Sequence, residues 1–450
     1  MKAINDDLFS KVNVQKALLT LILPTIISQL MMVVYNMSDT FWLGQLNSPA
    51  QIAAATICMP VFLLSLGISN IFGVGGASLM SRCLGQKQYD KARTTCSFCV
   101  WTALACGILY GSVFALFSEP ILYSMGARSD TYLYCQEYAF WTVVVGAVPA
   151  TMAGLLGHLV RSEGYAKQAS FGMILGVVLN IILDPFFIFG LGLEIKGAAI
   201  ATILSMVISC GYLIWFIERR PKESILTLRP KYYKLKKEII TDVLWVGFPT
   251  TLMNWMATAS NIVLNGLMAN YSTFAVAGMG IAKRVDMIVF SIGNGIGQGI
   301  LPLISYNYAA KNFKRMRSAI NITFIYSMVL AVLTTLWLYF GAGGIIGLFI
   351  KEPRTLAYGQ DFLKIICLTC PCITLTLIAM TIFQAAGKKV APLVLSIVRK
   401  GGLDIPLMFI LNAWMGEMGI AWAMPIEDVL AAFLAIYLFV VFIRQLKNKS

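Results

Sequence analysis

The sequence predicts an all-α integral membrane protein with twelve transmembrane helices in two pseudo-symmetric six-helix lobes. Three observations lead to this fold. The 450 residues are 58% hydrophobic and only 12% charged, whereas soluble domains carry about 25% charged residues. Apolar runs of about 18 residues or longer recur along the chain, as membrane-spanning helices require. The second half also repeats sequence features of the first half at a nearly constant offset.

Hydropathy places six spans in each half of the chain. The first six lie near residues 15–42, 52–80, 92–118, 130–157, 168–191 and 195–217. The second six lie near residues 240–268, 274–308, 316–347, 355–385, 390–413 and 417–443. The longest polar stretch, 218–238, separates the two sets. We therefore predict an N-terminal lobe at 1–217, a cytoplasmic linker at 218–238 and a C-terminal lobe at 239–450.

The two halves share short motifs that indicate an ancient duplication. Pro24 recurs as Pro249 at an offset of 225 residues, and Asn70 recurs as Asn294 at an offset of 224. Because each half holds an even number of spans, both halves start on the same side of the membrane. The repeats are then parallel and related by an axis along the membrane normal. A substrate cavity is expected between the lobes.

The net charge of +14 reflects topology and does not indicate nucleic-acid binding. With a cytoplasmic start, the predicted inner segments hold 26 Lys and Arg residues, including Lys2, Lys222 and Lys449, against four in the outer segments. This is the positive-inside pattern of a multi-pass protein. We expect a cell (inner) membrane location, both termini in the cytoplasm, and lipid as the surrounding partner.

Four acids lie within or near the predicted spans: Asp39, Asp184, Asp286 and Asp404. Lys283 precedes Asp286 by three residues and Lys400 precedes Asp404 by four, so these two acids are expected to form local helix pairs. Asp39 and Asp184 have no base within a helical turn. An ionisable residue inside a membrane is a functional candidate by default.

Polar residues near these two acids suggest an ion site. Asn180 lies one turn before Asp184 on the same helical face, and Thr202 offers another oxygen. Tyr35 and Asn36 are the local polar neighbours of Asp39. Burial favours a protonated acid whereas surrounding oxygens favour an ionised acid around a metal cation, so H⁺ and Na⁺ both remain open.

Other features are expected to be structural. The ten cysteines lie mostly in apolar spans and are predicted to be free thiols, so no metal site is expected. The glycine-rich segments lack the Lys-Ser/Thr ending of a nucleotide loop, so no cofactor is predicted and uphill transport must draw on an ion gradient or an external motor. Pro24 is predicted to act as a hinge in the first span. Met37 and Trp42, near the acids, are candidate cavity-lining residues.

The combined motifs resemble the multidrug and toxic compound extrusion (MATE) family of the MOP superfamily over nearly the whole chain. They are Leu23-Pro24, Tyr35-Asn36-Met37-Ser38-Asp39-Thr40, Leu43-Gly44, Asn180-Ile181-Ile182-Leu183-Asp184-Pro185 and Gly197-Ala198-Ala199-Ile200-Ala201-Thr202. The resemblance implies a V-shaped antiporter, expected to be a monomer, that exports small organic and often cationic compounds in exchange for H⁺ or Na⁺.

The resemblance also implies roles for individual residues. In the DinF-like and MepA-like branch, the positions that match Asp39, Asp184, Tyr35, Asn180 and Thr202 carry the cation. A second branch uses a glutamate in the seventh span, and 248–268 contains no acid here. Candidate substrate contacts are Asn36, Met37, Trp42, Arg284 and Asp286.

Two other functions fit parts of the sequence. A flippase for lipid-linked oligosaccharides would share the two-lobed architecture but would need a cationic cavity, for which Lys283, Arg284, Arg399 and Lys400 are available. An integral-membrane enzyme would need a convergent nucleophile, metal set or acid and base. A single histidine and scattered acids give little support for catalysis, and no catalytic residue is predicted.

Overall fold

The computed structural model describes residues 6–46, 48–220 and 224–447, and these residues form helices joined by short connections. Lys2, Lys222 and Lys449, which the topology prediction counted as cytoplasmic, lie outside the described residues. All ten cysteines are free, as predicted.

The N lobe contains nine α-helices and two π-helical segments in its described part. The α-helices are α1 (Asp6–Ser10), α2 (Val14–Gly44), α3 (Pro49–Gly85), α4 (Tyr89–Leu116), α5 (Ser118–Ser124), α6 (Tyr132–Ala139), α7 (Ala147–Ser162), α8 (Ala166–Pro185) and α9 (Glu194–Glu218). The π-helical segments are Phe140–Val145, between α6 and α7, and Phe186–Gly190, after α8.

The C lobe repeats this order after a short 3-10 turn at Pro230–Tyr232. Its helices are α10 (Lys237–Ala269), α11 (Thr273–Ala309), α12 (Phe313–Gly347), α13 (Pro353–Cys367), α14 (Cys370–Ala385), α15 (Val390–Ile397), α16 (Asp404–Met415) and α17 (Glu417–Lys447). A π-helical segment, Val398–Leu403, joins α15 to α16.

Eight of the described helices are each long and apolar enough to cross a membrane. Two further spans are bent pairs, α6 with α7 at 46° and α13 with α14 at 48°. Helix α10 and the α15–α16 pair occupy the two remaining predicted positions, which gives the twelve-helix layout. Sequence analysis treated the fourth and tenth spans as continuous. Pro149 and Pro371 lie in the first turns of α7 and α14, where a missing backbone N–H is tolerated and a new helix can start.

The lobes pack closely where glycines, which have no side chain, lie on the facing surfaces of neighbouring helices. A Cβ atom on Gly75 of α3 would lie 2.0 Å from the carbonyl oxygen of Val243 in α10. Its repeat counterpart, Gly299 of α11, faces Ile22 of α2 with a corresponding distance of 2.7 Å to Cα. Such close backbone approach requires small residues. The contact lies toward the end of the molecule that carries α1 and the start of α10.

The described residues of the predicted linker pack on the N lobe. Ile225 and Leu226 are buried, and the indole nitrogen of Trp101 in α4 donates to the carbonyl of Leu228 at 3.0 Å. Ser224 Oγ donates to the carboxylate of Glu163, just after α7, at 2.6 Å. This segment is thus held by α4 and the end of α7.

Candidate functional site

Asp184 lies in the last turn of α8 and is fully buried. Asn180, one turn earlier, donates from Nδ2 to Asp184 Oδ1 at 3.1 Å. The same amide nitrogen approaches Thr202 Oγ1 in α9 at 3.3 Å. Three of the residues predicted to bind the ion therefore form one cluster between two neighbouring helices.

Two oxygens in this cluster have no hydrogen-bond partner among the described residues. They are Asp184 Oδ2 and Asn180 Oδ1, and both are buried. A buried polar atom without a partner is costly, and such atoms are uncommon in folded proteins. Carboxylate, amide and hydroxyl oxygens are the ligands that hard cations prefer. The cluster therefore has the chemistry to accept a proton on Asp184 or to bind a small metal cation.

Asp39 and Tyr35 extend this cluster from α2 and are both partly buried. Asp39 is close enough to Asp184 to interact with it electrostatically. Tyr35 interacts with both acids, and its hydroxyl is within hydrogen-bonding reach of Thr202. No described Lys or Arg forms an ion pair with either acid. Repulsion between the two carboxylates is relieved when a positive charge binds between them.

Tyr138 of α6 also belongs to this group, although sequence analysis did not select it. Its hydroxyl interacts with Asp39, Tyr35 and Asp184. The sequence contains 18 tyrosines, and Tyr138 comes near the acids through the packing of α6 against α3 and α9. Nothing in its local sequence marks it.

The three predicted substrate contacts of α2 do not all face the acids. Asn36 donates to the carbonyl of Met32 within its own helix at 2.9 Å. Trp42 packs edge-on to Phe189 with ring centroids 6.1 Å apart, and its indole nitrogen has no described partner. Met37 is partly buried.

Pro24 is distant from the acids, at the contact between the lobes. Helix α2 runs through it without a break. Its neighbours Ile22 and Ile26 pack against Gly299 and Gly295 of α11. The proline that we predicted as a hinge therefore lies where the first span meets the C lobe.

The C lobe holds a separate group of buried charges. Arg399 Nη2 donates to Asp428 Oδ1 at 3.1 Å, and Lys400 Nζ donates to Glu427 Oε2 at 2.9 Å and to Asp404 Oδ2 at 3.3 Å. The predicted local pair between Lys400 and Asp404 is thus present. Oppositely charged side chains neutralise most of this group, in contrast to the acids of the N lobe.

The prediction of four acids in the spans was wrong, because Glu427 and Asp428 lie inside α17. Both are buried. Their position in the middle of the predicted twelfth span was a sufficient signal to find them.

The two predicted contacts in α11 differ in exposure. Asp286 is partly buried and its Oδ1 has no hydrogen-bond partner among the described residues, whereas Arg284 is exposed. Lys283, the expected local partner of Asp286, interacts with it electrostatically but directs its ammonium to Met424 Sδ at 3.8 Å.

Comparison with known proteins gives a consistent result over the whole chain. The MatE family model matches residues 24–186 and 249–410. The multidrug export protein MepA of Staphylococcus saprophyticus subsp. saprophyticus is 30% identical over 434 residues, which cover 96% of this chain and 95% of that protein. MepA of Staphylococcus aureus strain N315 is 30% identical over 433 residues, with coverage of 96% and 95%.

Solved structures share the fold. A MATE protein crystallised in complex with MaL6 superposes with a TM-score of 0.93 at 23% identity, covering 99% of both chains. An outward-facing multidrug resistance MATE family transporter of the MOP superfamily gives a TM-score of 0.93 at 23% identity over 100% of both chains. The predicted two-lobed fold is confirmed.

Proposed function

The chain belongs to the MatE family of membrane transporters, and on that basis we propose that it exports small organic compounds, many of them cationic, in exchange for H⁺ or Na⁺. The curated relatives that it matches over 96% of its length are named multidrug export proteins. The observation that carries the ion-coupling proposal is the pair of N-lobe acids, Asp39 and Asp184, without a basic partner among the described residues.

The coupling ion and the substrate would load in alternation. An ion that binds among Asp39, Asp184, Asn180 and Thr202 lowers the negative charge of the two carboxylates by one unit and weakens their attraction for a cationic substrate. Release of the ion restores that charge. Exchange follows because both ligands depend on the same two carboxylates, so each disfavours binding of the other.

Alternating access would arise from the two lobes. The positive-inside rule assigns the end with α1 and the start of α10 to the cytoplasm. Since the lobes meet at that end, this conformation would be open to the outside. We propose that α2 bends at Pro24 during the transition, because a proline removes one helical hydrogen bond and weakens the helix locally. The protein would function as a monomer in the cell (inner) membrane.

The flippase alternative is less well supported. A pyrophosphate headgroup needs free positive charge. Arg399 and Lys400 are ion-paired with Asp428, Glu427 and Asp404. Two of the four bases that kept this alternative open are therefore already neutralised.

The test is efflux of a fluorescent organic cation from proteoliposomes, with a pH gradient and an Na⁺ gradient imposed separately. We expect one gradient to drive efflux in the wild type and expect that gradient to fail in the Asp39→Asn and Asp184→Asn variants. Gradient-driven efflux that persists in both folded variants would reject the N-lobe coupling site. Failure of both gradients in the wild type would reject ion-coupled export of this substrate class.

A further inference from the structure

A small polar cavity lies between the lobes, apart from both acid clusters. Its volume is about 40 Å³. Asn70 of α3 and Asn294 of α11 both line it, and these asparagines are repeat counterparts. The cavity is thus built from equivalent parts of both lobes, near their pseudo-symmetry axis.

Arg161, in the last turn of α7, contributes a positive charge to this cavity. Its side chain is buried, and the residue is only 3% exposed. Its Nη2 contacts the neutral sulfur of Met173 at 2.7 Å, and its Nε has no partner among the described residues. No described carboxylate forms an ion pair with Arg161, and none lines the cavity.

The neutral groups around Arg161 are suited to donate hydrogen bonds. Gln298 lines the cavity, and its Oε1 accepts from Gln29 Nε2 at 3.2 Å, which leaves its amide hydrogens available. Thr250 Oγ1 accepts from Gln384 Nε2 at 2.8 Å, so its hydroxyl hydrogen can also be donated. The amides of Asn70 and Asn294 add further donors.

The burial of an uncompensated guanidinium is expensive. The effective penalty in proteins is several kcal/mol per ion, and the carbonyl ends of α7 offset only part of it. Water can fill a cavity of this size, since one water needs roughly 10 to 15 Å³. Water is neutral, however, and leaves the charge of Arg161 without a counter-charge.

We propose that this cavity binds a small monovalent anion of the size of chloride, with Arg161 as its counter-charge and amide and hydroxyl donors around it. Both lobes form the cavity, so the anion binds only while the lobes are in contact at this end. Anion binding therefore stabilises this conformation relative to any state in which the lobes separate there. The site is independent of the ion-coupling acids of the N lobe.

Purified full-length protein in detergent provides the first test. Thermal unfolding is measured while chloride replaces gluconate at constant ionic strength, since gluconate is too large for the cavity. We expect the unfolding temperature to rise saturably with chloride and with bromide. An unfolding temperature that does not depend on the anion, or that rises without saturation, would overturn the proposal.

Gln298→Glu supplies a carboxylate inside the cavity and keeps the buried arginine in place. We expect this variant to unfold at least at the wild-type temperature in gluconate and to lose the response to chloride. Arg128→Gln, at an exposed arginine outside the cavity, should keep the response. A full chloride response in Gln298→Glu would overturn the proposal.

Crystals of the wild type in bromide provide a direct readout. We expect an anomalous peak beside Arg161 in the cavity between the lobes. A conformation with the lobes in contact and no peak in the cavity would contradict the assignment. None of these measurements requires transport, so they remain valid if the proposed export function fails.

Discussion

At the scale of single residues, the N-lobe cluster combines one buried carboxylate with an amide and a hydroxyl. Asn180 donates to both Asp184 and Thr202, so the amide fixes the distance between their oxygens. This arrangement leaves Asp184 Oδ2 and Asn180 Oδ1 to face an incoming ion. Thr202 would then act as a ligand, directly or by holding Asn180.

Thr202→Val tests this role with little change in shape. Loss of the hydroxyl should weaken ion binding by about 1 kcal/mol, or roughly fivefold, since that is the usual net value of one hydrogen bond. The measurement is the ion concentration at half-maximal efflux. Ser205→Ala is the matched control, because Ser205 in the same helix donates only to Ala201 O. Equal ion affinity in Thr202→Val and wild type would remove Thr202 from the site.

Sequence alone predicted part of this cluster, and the reason is its local geometry. Asn180 and Asp184 are four residues apart on one helix, so helical periodicity places them together. Asp39 was selected because it has no base within a helical turn, and Thr202 because it offers another oxygen. Tyr138 was missed because its position depends on the packing of α6, and local sequence patterns do not predict that packing. Glu427 and Asp428 were missed even though their position in an apolar span was visible.

At the scale of helices, glycines determine how closely the lobes approach. Gly75 of α3 and Gly247 of α10 make the tightest such contacts between these two helices, since a Cβ atom at either position would overlap a backbone carbonyl. Backbone atoms cannot move aside as the end of a flexible side chain can. The distance between these helices is therefore sensitive to one methyl group.

Gly75→Ala should destabilise the protein by about 1 to 3 kcal/mol, the usual cost of overpacking. The measurement is the temperature of unfolding in detergent. Gly211→Ala in α9 is the control, because a Cβ atom there meets nothing within 4 Å and alanine favours the helix. If both variants unfold at the same temperature, the close approach of α3 and α10 does not limit stability.

The linker segment offers a pH-dependent test. Burial raises the pKa of Glu163 above its ordinary value of 4.5. A raised pKa means that the docked state prefers the protonated acid. Protonated Glu163 therefore stabilises the docked linker fully below about pH 4.5. This stabilisation is lost as the pH rises through the raised pKa of Glu163.

Hydrogen exchange of Ile225 and Leu226, corrected for intrinsic rates, measures this docking. We expect protection to fall as the pH rises through that range in the wild type. In Glu163→Gln, which cannot ionise, we expect protection that does not depend on pH. The same pH dependence in both proteins would show that another group controls the linker.

At the scale of the whole molecule, an ion pair connects the lobes at the contact end. Asp242 of α10 pairs across the lobes with Arg82 of α3 at 3.5 Å, and within the C lobe it pairs with Lys389, before α15, at 3.3 Å. All three side chains are partly exposed, so each pair contributes less than about 1 kcal/mol. The pair between the lobes still biases an equilibrium between conformations of similar free energy.

Asp242→Asn removes both pairs and should shift the population roughly severalfold toward the state open at this end. We expect faster hydrogen exchange at 82–85 and 237–243, measured by mass spectrometry. Asp90→Asn is the control, because Asp90 is almost fully exposed and pairs within its own helix. Unchanged exchange in Asp242→Asn would mean that the pair between Asp242 and Arg82 does not hold the lobes together.

The sequence predicted the number and placement of the spans because the thickness of the membrane sets the length of the apolar run that each span needs. The repeat between the halves also predicted two related lobes. The bends within the fourth and tenth spans were not predicted, because hydropathy averages over them. The contacts between α2 and α11 and between α3 and α10 join helices that are far apart in the sequence. Local sequence patterns therefore do not predict them.

The central claim is that the acids around Asp184 couple an ion to substrate export. The most direct measurement is ion release on addition of substrate to ion-loaded protein, followed with a pH indicator and an Na⁺ indicator. We expect release of one ion type in a fixed ratio to bound substrate in the wild type. We expect no release from Asp184→Asn, with the fold intact. A folded Asp184→Asn variant that releases the same ion in the same ratio would show that Asp184 does not couple the ion to export.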